Sequence, residues 1–188
     1  IWVAGWHPEN ASNRYYGPTP LKVALAYSRN VVAVRLLQKV GISKAVKLAE
    51  EFGFEPDELP HYLPLALGSG SASPLRMAQM YSVFANGGFR IDPYFIEKVE
   101  TESGLTIYKA TPSTACSECE DISPPPEGAA KRVLTPRVHF MMNSMLQDVV
   151  RRGTARKALA LERSDVAGKT GTTNDFHDAW FNGYIPEM

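Results

Sequence analysis

The chain's 188 residues suffice for one domain with a core of its own, and 44% hydrophobic with 21% charged residues is an ordinary globular composition. Lys plus Arg and Asp plus Glu each number 20, so no net field favours nucleic acid or an anionic lipid surface. No apolar run approaches the roughly 20 residues of a membrane span, and no signal peptide is present.

The first 18 residues are polar and turn-rich, with no clear period. Thr19-Pro20 has the form of a helix cap followed by proline in the first turn, which predicts a short helix to about Tyr27. Ser28-Arg29-Asn30 interrupts it. A strongly apolar helix follows, with Val31, Val34, Leu37 and Val40 ahead of Gly41. Ser43 can cap a third helix that turns Ala45, Val46, Leu48, Ala49 and Phe52 inward and closes at Gly53.

Residues 55–72 form a Pro/Gly/Ser loop. Its run Leu67-Gly68-Ser69-Gly70-Ser71-Ala72 lacks both the glycine spacing and the lysine of a nucleotide cradle, so it reads as a tight turn. Ser73-Pro74 opens another helix with Met77, Met80, Tyr81 and Phe84 on one stripe, stopped by Asn86-Gly87-Gly88. The methionines read as core filler. Residues 94–100 and 105–109 predict a hairpin around Thr101-Glu102-Ser103-Gly104. Residues 110–132 are expected to be a mobile loop. Within it, Cys116 and Cys119 lack the second Cys pair of a zinc site and the strand-to-helix setting of a redox motif. A local disulfide formed in an oxidising compartment, or two idle thiols, fits better. Thr135-Pro136 starts the last long helix, with Val138, Met141, Met142, Met145, Leu146 and Val149 on one face and Arg151 and Arg152 at its C-terminal end.

Gly153-Thr154-Ala155 turns the chain toward a strand, Val166 to Thr173, and a second strand, Asp178 to Tyr184, follows a tight polar loop. Two glycines flank Lys169 in the first of these. Glycine in a strand marks close approach of a backbone or ligand, and Lys169 with Thr170, Thr172 and Thr173 offers a cation and hydroxyl donors to an anionic, peptide-like partner. An ordinary hairpin with packing glycines is the competing reading. Ser28 and Asn30, two apart on a helix junction, are able either to cap backbone groups or to face a cleft, the serine relaying a proton and the asparagine holding an amide. His177 and Asp178 read as a solvated turn. The element order suits an α+β plan, an α/β sandwich of antiparallel strands with helices packed on them.

Together, Ser28-Arg29-Asn30 and Lys169-Thr170-Gly171-Thr172-Thr173 are more specific than either alone. They stand in the order found in β-lactamases and penicillin-binding proteins. The surrounding stretches Ala24 to Val31, Leu65 to Ser69, Phe84 to Gly88 and Asp178 to Phe181 resemble the transpeptidase domain of class A, bifunctional penicillin-binding proteins. The resemblance runs over residues 10–185 apart from 110–132. It implies an enzyme that cross-links peptidoglycan stem peptides through an acyl-serine intermediate and that is acylated by β-lactams, with no metal or organic cofactor. It gives Ser28, Asn30, Lys169 and Thr172 catalytic roles, and Thr170, Gly171, Thr172 and Thr173 substrate-binding roles. It further implies a parent protein anchored in the inner membrane, facing the periplasm, with an upstream glycosyltransferase domain.

One departure matters. The family's Ser-x-x-Lys nucleophile motif occurs nowhere in the sequence. The hydroxyl-x-x-Lys matches at Thr19, Thr106 and Thr154 are unsuitably placed: too near Ser28, on the hairpin, and after the last helix. The chain starts at Ile1 and stops at Met188 straight after a strand, so it reads as a partial domain cut at both ends. The nucleophile is expected upstream, on the parent or on a companion chain, and the fragment is expected to be inactive alone. A non-catalytic peptidoglycan-binding scaffold of the same fold is the alternative. A β-lactamase is less favoured, because no Glu-x-x-Leu-Asn is present to activate a deacylating water.

Overall fold

The structure, a computed structural model, describes residues 5–119, 124–173 and 177–186. α1 (Leu21–Ala26) begins behind Pro20 as expected, but Thr19 does not cap it; its hydroxyl donates to the Gly17 carbonyl at 3.0 Å. α2 (Asn30–Val40) buries Val31, Val34 and Leu37 along one face, while Val40 is exposed. Gly41 ends α2, and α3 (Ile42–Phe52) starts from that same glycine. Ser43 therefore lies inside α3 and caps nothing, which corrects the expected cap. Val46 and Phe52 are buried as expected, whereas Leu48 is exposed. Gly53 closes α3 in the left-handed conformation, φ 109°, which a residue without Cβ adopts at no steric cost.

Two short 3-10 turns, Pro56–Glu58 and Leu63–Leu67, occupy the expected loop. α4 (Pro74–Ala85) starts at Ser73, whose hydroxyl accepts from the Arg76 amide at 3.2 Å; losing such a cap typically costs about 1 kcal/mol. β1 (Phe89–Arg90), β2 (Lys98–Glu100), β3 (Thr106–Lys109) and β4 (Lys131–Arg132) are all short, with β1 paired to β4 and β2 to β3. The hairpin is thus present but shorter than expected, since residues 94–97 are not in a strand. In the 110–132 segment, Cys116 and Cys119 form a disulfide with Cα atoms 5.3 Å apart, and Thr114 bridges Ala129. Both features lie outside positions 120–123, which are not among the described residues.

α5 (Pro136–Arg151) starts at Thr135, whose hydroxyl accepts from the Val138 amide at 3.4 Å. Its C-terminal half buries Leu146, Val149 and Val150, but Val138 and Met141 are exposed, contrary to the expected single inward face. The cause is the position of the core. Val149 and Val150 meet Ala155 and Val166, with Leu25, Ala158 and Ile185 around them, all near the last turn of α5. A second cluster joins Phe52, Val83 and Leu134. Fully burying one such valine contributes roughly 1.5–2 kcal/mol.

β5 (Ala167–Thr172) and β6 (Ala179–Tyr184) pair antiparallel in unbroken register, from Ala167 opposite Tyr184 to Thr172 opposite Ala179. A Cβ on Gly168 would lie 2.4 Å from the Asn182 carbonyl oxygen, so this ladder closes only around a glycine. α5 packs on β5 and α4 on β6, giving the α+β sandwich of helices on antiparallel strands. Stacking of Phe84 on Tyr184, centroids 6.1 Å apart, ties α4 to β6.

Candidate active site

The junction after α1 is a strained turn built around a serine. The Arg29 amide donates to the Ala24 carbonyl at 2.9 Å and the Ser28 amide to the Leu25 carbonyl at 3.1 Å, the paired bonds of a Schellman helix end. That motif needs a left-handed residue, usually glycine, and here Ser28 holds φ 52°. A side chain in that region costs on the order of 1 kcal/mol. The hydroxyl that comes with the cost points across the fold: Ser28 Oγ accepts from Lys169 Nζ at 3.0 Å, 141 residues away in sequence.

Lys169 is half-buried on β5 and also donates to the Thr170 carbonyl at 2.8 Å. Burial pushes its ammonium below the usual lysine range. With two of three ammonium protons engaged, one donor is left for a ligand. Because Ser28 Oγ accepts from Lys169, the serine's own proton stays available. Gly171 and Thr172 are exposed at the end of β5, and β6 is the only strand paired with β5 among the described residues. Thr173 differs from its neighbours. Its hydroxyl accepts from the Asp178 amide at 2.7 Å, tying the end of β5 to the residue before β6; the tight loop expected between the strands includes residues 174–176, which lie outside the described residues. Asn30 opens α2, and its side-chain Nδ2 donates to the Glu9 carbonyl at 2.9 Å.

Two groups near the site carried no clear sequence signal. Thr154 Oγ1 lies 2.5 Å from Thr170 Oγ1, and the Thr154 amide donates to the Ala26 carbonyl at 3.0 Å. Asn10, buried in the stretch without period, accepts from the Val31 amide at 3.2 Å and so satisfies the first turn of α2 beside Asn30. Asp148 holds the frame. Buried on α5, it accepts from Lys22 on α1 at 3.2 Å and from Arg152 at 2.5 Å. Burial raises its pKa, but those two cations more than offset it and keep the carboxyl below its usual range. A groove of about 770 Å³, lined by Trp6, Leu37, Ile42 and Tyr62 among others, includes none of the candidate residues. No group of His, Cys, Asp and Glu among the described residues is arranged to hold a metal ion.

The α+β plan is the one that the resemblance implies, and comparison with known proteins agrees. The family model for the penicillin binding protein transpeptidase domain matches residues 2–188. The chain belongs to the penicillin-binding protein transpeptidase family. Penicillin-binding protein 1A of Pseudomonas aeruginosa is 42% identical over 213 aligned positions, covering 95% of this chain and 26% of that protein. The Neisseria lactamica protein of the same name is 44% identical, covering 97% of this chain and 22% of its own length. Among solved structures, penicillin-binding protein 1A from Haemophilus influenzae superposes with a TM-score of 0.87 at 36% identity, over 98% of this chain and 31% of that one. The chain thus spans about a quarter of the length of these curated relatives.

Proposed function

We propose that residues 1–188 form the Ser-x-Asn and Lys-Thr-Gly side of a serine D,D-transpeptidase site that cross-links peptidoglycan stem peptides, and that the acylated serine lies outside these residues. The observation that carries the reading is the 3.0 Å contact between Lys169 Nζ and Ser28 Oγ, made by a serine held in a strained left-handed turn. Strain retained at one residue fits a site that needs its side chain. The absence of any Ser-x-x-Lys from the 188 residues supports placing the nucleophile elsewhere.

In this mechanism the external serine oxygen bonds to the carbonyl carbon of the penultimate stem-peptide bond, or of a β-lactam ring, and the C–N bond breaks. Ser28 passes a proton to the departing nitrogen, and Lys169 stabilises the electron-rich Ser28 oxygen while that proton moves. Asn30 holds the substrate side chain, turning from its bond to the Glu9 carbonyl to do so. The hydroxyls of Thr170 and Thr172 bind the free carboxylate. The Thr172 amide supplies one oxyanion donor, a contact whose loss typically costs about 3 kcal/mol of barrier. Gly171 keeps the strand edge open to an extended peptide, and Thr173 ties the end of that strand to Asp178. The parent protein is a periplasm-facing, membrane-anchored cell-wall enzyme with a glycosyltransferase domain preceding this one.

The test is intact and peptide mass analysis of the parent protein after incubation with benzylpenicillin. One adduct on a serine outside residues 1–188, formed at least 100-fold more slowly in Lys169→Ala, is expected. An adduct within residues 1–188 would refute the placement of the nucleophile. No adduct at all would favour the scaffold reading.

A further inference from the structure

Thr154 stands outside both motifs, yet it completes a ring of contacts around them. Lys169 Nζ donates to Ser28 Oγ and to the Thr170 carbonyl. Thr170 Oγ1 meets Thr154 Oγ1 at 2.5 Å, and the Thr154 amide returns to the Ala26 carbonyl, two residues before Ser28. The approach depends on the neighbouring glycine, since a Cβ on Gly153 would lie 2.0 Å from the Ala26 carbonyl oxygen. The threonine is exposed, so its hydroxyl is held at the mouth of the site rather than used in the core.

The hydroxyl pair has a simple proton inventory. Each hydroxyl carries one proton, and only one of the two can lie between the oxygens. When Thr154 donates, the Thr170 proton is free to point at an incoming anion, and the bond it already accepts strengthens it as a donor. A lone threonine hydroxyl in water would have to be oriented at the moment of binding; this one, with Thr154 as the donor, is oriented beforehand.

We propose that Thr154 is a positioning residue that aims the Thr170 hydroxyl at the free carboxylate of the substrate or β-lactam. The proposal rests on the transpeptidase reading above. It requires Thr154 to matter for ligands that carry the carboxylate and to be indifferent for ligands that lack it. A merely structural threonine would affect both alike.

The experiment compares acylation of the parent protein by benzylpenicillin and by its methyl ester, in wild type, Thr154→Val and Thr154→Ser. Weakening one hydrogen bond to a charged group corresponds to about a 10- to 100-fold loss. Thr154→Val is therefore expected to slow the free acid by that factor, to leave the already slow ester within about 2-fold, and to recover in Thr154→Ser. The acid-to-ester ratio is the deciding quantity, because a partly unfolded variant lowers both rates equally. Equal slowing of acid and ester, or no slowing of either, overturns the role of Thr154 while leaving the transpeptidase reading intact. A wild-type parent acylated by neither compound overturns both.

Discussion

Ser28 is where the fold and the proposed chemistry make opposite demands, and replacing it separates them. At φ 52° the turn penalises any side chain, so Ser28→Gly removes the strain together with the hydroxyl. Ser28→Ala removes the hydroxyl and keeps the strain. Both variants lose the 3.0 Å bond to Lys169, so that loss cancels between them. What is left is the left-handed penalty, about 1 kcal/mol in favour of glycine. In an ordinary helix or strand the order is reversed, with alanine better by up to about 1 kcal/mol. For a domain of this size 1 kcal/mol moves the melting temperature by about 2–4 °C. Thermal unfolding of the parent's transpeptidase domain should thus place Ser28→Gly about 2–4 °C above Ser28→Ala. Benzylpenicillin acylation should fall at least 100-fold in both, because the proton route is gone in both. An alanine variant as stable as the glycine variant would show the turn to be unstrained. Unchanged acylation in either would remove Ser28 from the chemistry.

Gly153→Ala tests the contact between α1 and α5. Its Cβ would meet the Ala26 carbonyl oxygen at 2.0 Å and the Val149 Cα at 2.9 Å, which forces α1 outward and breaks the Thr154–Ala26 hydrogen bond. Overpacking plus one lost bond sums to about 2–4 kcal/mol, read as a shift in the urea midpoint. Gly171→Ala is the matched control, with only the Trp180 Cβ at 3.7 Å, and should stay within about 0.5 kcal/mol of wild type. A Gly153→Ala variant as stable as that control would refute the close approach. At alkaline pH the aromatic cluster becomes a liability. Burial pushes the Tyr81 phenol up to about 12 and raises Tyr184 further, with Tyr81 adding to the effect. The folded state keeps protons that the unfolded chain releases above about pH 10, so this contribution is complete below pH 10 and is lost as pH climbs toward 12. Lys169, with its lowered pKa, acts in the opposite sense below about pH 10.4, where the unfolded chain binds the extra proton. Urea midpoints between pH 9 and 11.5 should fall, and the fall should flatten in Tyr81→Phe/Tyr184→Phe. An equally steep fall in that double variant would rule the two phenols out.

How far the sequence alone reaches is best seen by comparing Ser73 with Thr154. Ser73-Pro74 and Thr135-Pro136 announce helix starts because each cap is completed within three residues, by the Arg76 and Val138 amides. The Lys169 strand and the Ser28 junction are legible for another reason: each alone suits an ordinary hairpin or helix junction, but the two together, in that order, resemble the motif pair of penicillin-binding proteins. Thr154 has neither advantage. As text it is a hydroxyl after a glycine at a helix end, and its partner, Thr170, is chosen by the packing of α5 on β5. Asn10 is hidden in the same way, since it caps a helix 21 residues downstream from a segment with no period. The apolar stripe misleads in the opposite direction. Val138 and Met141 repeat at helical spacing yet are exposed, because spacing tells which residues share a face and not how far along the helix a core extends. What the sequence does show of the long-range fit is negative, the missing side chains at Gly153 and Gly168, each next to a residue of the proposed site. A glycine ahead of a hydroxyl or a lysine, where no positive φ requires it, signals that another backbone comes close. At Gly153 that signal points to Thr154.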